Sequence, residues 1–74
     1  MLESMDVLVF KTNIQHKNDV ERIRPLFNNH NNILSWNVDI EDVDKVLRIE
    51  SSSNISREVE NIIRQAGYLC IELE

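Results

Sequence analysis

The chain has 74 residues, 42% hydrophobic, with 13 acidic against 8 basic side chains and a net charge of -5. That is enough for one small core, residues 1–74 as a single domain, and too apolar for a disordered segment. With no Lys/Arg cluster and only four aromatic residues there is no footprint for nucleic acid, and no apolar run is long enough to span a bilayer.

A lone cysteine, Cys70, makes no internal disulfide. The start, "MLESMDVLVF", lacks the basic region and long apolar core of a secretory leader, so a cytoplasmic address is expected.

In chain order, "VLVFK" (7–11) is a short apolar run rich in β-branched and aromatic residues, which predicts a strand. If Val7 and Val9 turn toward the core, Leu8 and Phe10 lie on the other face. Val20, Ile23 and Phe27 then follow helical spacing over about 19–28, with Asn18 or Asp19 able to cap the first turn. Pro25 interrupts the pattern at a cost of about 3 kcal/mol, so a kink or a short helix is expected. "NNHNN" (28–32) is a turn.

"ILSWNVDI" (33–40) alternates, with Leu34, Trp36, Val38 and Ile40 on one face. After "EDVD", the stretch "KVLRIES" completes a hairpin in which Leu47 and Ile49 alternate with Val46, Arg48 and Glu50. Ser56 is placed as an N-cap, followed by Val59, Ile62, Ile63 and Ala66 at spacings of three and four, with Ile62 and Ile63 expected in the core. Gly67 stands where a left-handed residue ends a helix, and "LCIELE" alternates Leu69, Ile71 and Leu73 inward with Cys70, Glu72 and Glu74 outward. The order βαββαβ predicts an α+β, ferredoxin-like sandwich: a four-stranded antiparallel sheet with two helices on one face.

Several of these segments resemble the heavy-metal-associated domain, the module of copper chaperones and of metal-pumping ATPases. They are the strand "VLVF", the helix "VERIRPLF", the hairpin "VDIEDVDKVLRI" and the ending "IIRQAGY". The resemblance covers nearly the whole chain and implies the same sandwich. It also implies a loop Met-Thr-Cys-x-x-Cys holding a soft ion between two thiolates. Here that loop reads Lys11, Thr12, Asn13, Ile14, Gln15 and His16. Asn13 stands at the first cysteine position and His16 at the second, so copper carriage is not carried over. Lys11, in place of the methionine, is free to pair with the acidic hairpin.

Two functional readings follow. The first is a non-enzymatic interaction module or homodimer, using an apolar patch of Leu8, Phe10, Val46 and Cys70 on the open sheet face to meet a protein partner or a second copy. The second is a divalent transition metal such as zinc, manganese or nickel, held by His16 and Asn13 with Asp42 and Asp44 from the acidic hairpin. Against it stands the plain reading of an exposed loop histidine beside a solvated acidic turn. His30 is expected at the opposite end, and "DIEDVDKVLRIE" lacks the turn glycine of a calcium loop. Catalysis is not expected, since no nucleophile-base grouping and no phosphate-binding glycine loop occur.

Overall fold

A computed structural model of the chain describes residues 5–73. The first four residues, on which part of the leader expectation rests, and Glu74, expected to point outward, lie outside the described residues.

The elements are β1 (Asp6–Thr12), α1 (Lys17–Asn28), β2 (Ile33–Asp39), β3 (Val46–Ser51), α2 (Ser56–Gln65) and β4 (Cys70–Glu72). The strands form one antiparallel sheet in the order β2-β3-β1-β4. This is the ferredoxin-like sandwich that the element order predicts, with β3 and β1 central and β2 and β4 at the edges. No described helix is long and apolar enough to cross a membrane.

Each helix is set by local chemistry. α1 begins two residues before the predicted start. His16 is its N-cap, and the Asp19 carboxylate accepts the His16 backbone N–H at 3.2 Å. Pro25 lies inside the helix, which ends three residues later at Asn28. α2 is preceded by Asn54, whose side-chain oxygen accepts the Ser56 N–H at 3.1 Å. The cap expected of Ser56 thus comes from two residues upstream. Gly67 adopts φ +99 after α2, as its place in the sequence predicts.

The core is built from Leu8, Phe10 and Ile14, from Ile23 and Phe27 of α1, from Leu47 and Ile49 of β3, and from Ile55, Val59, Ile63 and Cys70. Trp36 meets Phe27 edge to face at 5.3 Å between ring centres. Ile62 is half-buried at the core margin, beside Leu26 and Ala66 in a groove between the helices, while Ile63 is fully enclosed.

Three strand faces differ from expectation. In β1, Leu8 and Phe10 turn toward the helices and Val7 turns away. In β4, Cys70 is buried, whereas Leu69, Ile71 and Leu73 are exposed. In β2, a register shift between Ile33 and Ser35 puts Leu34 in solvent at 59% exposure, leaving Trp36, Val38 and Ile40 packed inward.

Candidate functional site

The first loop, the β2-β3 turn and the turn after α2 meet at one end of the sandwich. Thr12, at the end of β1, ties two of them together. Its N–H donates to Asp44 O at 3.1 Å, and its hydroxyl donates to Lys45 O at 2.6 Å while accepting the Ile14 N–H at 3.2 Å. Lys45 sits at φ 48, in the left-handed region, and its ammonium donates to Ile40 O at 2.7 Å, closing the turn on itself. The third segment is held by Asn13, whose side-chain oxygen accepts the Leu69 N–H at 2.8 Å.

Asp19 supports this end from α1. One oxygen accepts the Gln15 and His16 N–H groups, and the other accepts the Tyr68 hydroxyl at 2.7 Å. The Tyr68 hydrogen bond, followed by the two backbone donors, lowers the Asp19 pKa against the opposing effect of desolvation. Arg22 reaches the same hydroxyl at 3.2 Å and lies over the Tyr68 ring.

The candidate ligands therefore have other occupations. Asn13 braces Leu69, and His16 is an exposed helix cap. Asp42 accepts the Asp44 N–H at 2.8 Å, and Asp44 lies 3.7 Å from the Lys11 ammonium, which reaches the acidic hairpin as expected. Asp39 folds back onto the Glu41 and Asp42 N–H groups. Among the described residues no three His, Cys, Asp or Glu side chains come together as a metal site. His30 is held apart by Glu58 of α2, at 2.9 Å from Nε2. Its Nδ1 accepts the Asn32 N–H, which leaves the proton on Nε2.

Two solved structures have the same shape. The apo form of the heavy-metal-associated domain of a copper chaperone for superoxide dismutase superposes with a TM-score of 0.79 at 15% identity, over 96% of this chain and 69% of that one. The copper(I)-loaded first domain of the human copper chaperone for the same enzyme gives 0.77 at 16% identity, over 93% of both chains. The chain has the fold of heavy-metal-associated domains. No protein-family model matches the sequence, and no curated protein matches it.

A copper(I) ion does not fit the first loop of this chain. Soft ions need thiolate or thioether donors. The loop offers an amide already committed to Leu69 and one imidazole. Cys70, the only thiol, is buried in β4, where burial first, then the Glu60 charge and least the Glu72 charge, push its pKa up to about 12 against the opposing effect of Arg64.

The open face of the sheet carries a different set of side chains from the one expected. Leu8, Phe10 and Cys70 are buried under the helices, so they form no surface patch; of the four expected residues only Val46 lies on the open face, half-buried opposite Asp39. The patch is instead Val7 and Val9 of β1 with Ile71 of β4 and Leu73 beside them. Val7, Ile71 and Leu73 are 45%, 47% and 37% exposed, and Val9 is half-buried. Leu73 donates its N–H to Val9 O at 2.8 Å and Ile71 pairs with Lys11, so the four are contiguous across the β1-β4 pair.

The signal that could have placed this patch was Lys11. It shares the parity of Val7 and Val9, so turning those valines inward would have driven an ammonium into the core.

Proposed function

We propose that this chain is a non-enzymatic protein-interaction module built on a heavy-metal-associated fold whose metal loop has become structural. The observation that carries the reading is the contiguous apolar group Val7, Val9, Ile71 and Leu73 on the sheet face that no helix covers. Apolar side chains grouped on an otherwise polar face mark contact surfaces far more than scattered single residues do. Two further features support it. The first loop is braced within the chain by hydrogen bonds through Asn13, Thr12 and Asp19. The one thiol is enclosed, with a pKa unsuited to a nucleophile at neutral pH. The structural neighbours are named as domains of a chaperone for another protein, and a protein is the partner class proposed here.

The test is site-specific photo-cross-linking in cells. A photoreactive residue at Val7, on the open face, should give one or a few discrete protein adducts. The same residue at Asn61, exposed on α2, should not. Equal labelling from both positions, or no discrete adduct from Val7 in a folded protein, refutes the reading.

A further inference from the structure

The register of the sheet says more about what this face fits. The outward side chains next to its centre stand in two rows. One row is Val9, Arg48 and Asn37, which pair across β1, β3 and β2; the other is Val7, Glu50 and Ser35 on the same three strands. Between the rows runs the inward line of Leu8, Ile49 and Trp36. A twofold axis lying along that line, parallel to the sheet and across the strands, exchanges the rows. It sets Val7 of one copy against Val9 of the other, Glu50 against Arg48, and Ser35 against Asn37. Every contact is then apolar on apolar, anion on cation, or hydrogen-bonding group on hydrogen-bonding group, and each is made twice because the interface is isologous.

The charges are available for this. Among the described residues the Arg48 side chain makes no hydrogen bond or ion pair, although it is exposed on the open face. Glu50 is half-buried and uses one oxygen to accept the Ser35 hydroxyl, which positions the carboxylate and leaves its other oxygen free. Leu73 lies beside Val9 in the first row and extends the apolar half of the contact toward β4.

At the β4 edge, two of the backbone groups that strand addition would need are already occupied by α2. The Glu72 N–H donates to Glu60 at 3.4 Å, and the Cys70 carbonyl accepts from Arg64 at 3.3 Å, both from α2.

We propose that the open sheet face binds a second copy of this chain, face to face about that twofold axis, with reciprocal Arg48-Glu50 pairs beside a Val7-Val9 contact. The proposal rests on the interaction reading above and names its partner. Sheets packed this way cross at about 30°, which keeps opposed rows in reach near the centre. From strand spacing and rise, the face measures roughly 400 Å² per copy, so the dimer buries roughly 800 Å² and belongs with weak, transient interfaces.

Sedimentation over a concentration range reaching millimolar tests it. The wild type should pass from monomer to dimer. Arg48→Glu and Glu50→Arg, each placing like charges opposite one another, should weaken association by about tenfold or more. The double variant Arg48→Glu/Glu50→Arg should restore it, because the exchange rebuilds both pairs. Glu50→Gln, which keeps an oxygen for Ser35, should weaken association while leaving circular dichroism unchanged.

Failure of the double variant to recover, with all variants folded, overturns the proposed geometry. A wild type that stays monomeric throughout overturns self-association. In that second case a cross-link from Val7 to a different protein would still uphold the interaction reading, and absence of any adduct would end both.

Discussion

The Tyr68 hydroxyl donates to Asp19 Oδ1 at 2.7 Å, joining the turn after α2 to the start of α1 across 49 positions of sequence. The bond binds the two ends of the first loop's support, and it is the largest cause of the lowered Asp19 pKa. A carboxylate with a folded pKa below its unfolded value stabilises the fold above the unfolded pKa, and that contribution fades as pH falls through the folded one. Tyr68→Phe should therefore move the Asp19 titration midpoint, followed by carboxyl NMR, up toward the ordinary 3.8. The variant should also be less stable than the wild type near neutral pH, and the gap should close as pH falls below the ordinary carboxylate range, where the Asp19 contribution is lost. An unchanged midpoint would mean the bond does not persist in solution.

Substitutions in β1 distinguish its two faces directly. Phe10→Ser removes a fully buried ring and should cost at least about 3 to 5 kcal/mol, much of the stability of so small a chain. Leu8→Ser should act in the same direction. Val7→Ser touches a side chain already 45% exposed and should leave the thermal melt nearly unchanged. A folded Phe10→Ser beside an unfolded Val7→Ser would reverse the strand.

Thr12 is 3% exposed and serves two bonds through one oxygen, a buried one from Ile14 and a partly buried one to Lys45. Thr12→Val keeps the shape but strands the Lys45 carbonyl and the Ile14 N–H, at a cost of about 1 to 3 kcal/mol. Thr12→Ser should recover most of it. Chemical denaturation of the three proteins measures the difference.

Cys70 should resist thiol reagents in the native state and react promptly in denaturant. Its folded pKa of about 12 exceeds the ordinary 9.0. The protonated thiol therefore favours the fold fully below the unfolded value, and this contribution drains away as pH rises from about 9 toward 12 at up to about 1.4 kcal/mol per pH unit. Comparing wild type with Cys70→Ala at about pH 8 and about pH 10 isolates the effect, because other titrating groups are common to both. The gap between the two proteins should narrow at the higher pH; a constant gap would remove the thiol from the account.

Copper(I) added against a competing chelator should give no tight, equimolar complex, since the first loop presents an amide and an imidazole in place of thiolates. Submicromolar binding that disappears in His16→Ala would contradict this.

How these residues divide between the two levels of structure is clearest in the strands. The sequence by itself determined the element order, because turn residues and changes of period punctuate it at every junction. It also determined which faces of the helices are buried. Ile23 and Phe27, like Val59 and Ile63, are apolar against polar neighbours at spacings of four, and a helix has only one such stripe to bury. In β3 the alternation of Leu47 and Ile49 with Arg48 likewise allows one answer. That the first loop holds no thiolate is legible in the letters alone.

The faces of β1 and β4 were decided only by the tertiary structure. "VLVF" is apolar on both sides, so period two offers two equal choices. In "LCIEL" the more apolar row is the exposed one. Long-range pairing settled both: Phe10 opposite Leu47, Thr12 bonded to Lys45, and Cys70 drawn opposite Thr12. The Leu34 side chain was turned out by a one-residue register shift that leaves no mark in the alternation. A strand's side-chain pattern fixes its period but not its phase, and when both faces are apolar the phase is set by what the partner strands and the helices above them can enclose.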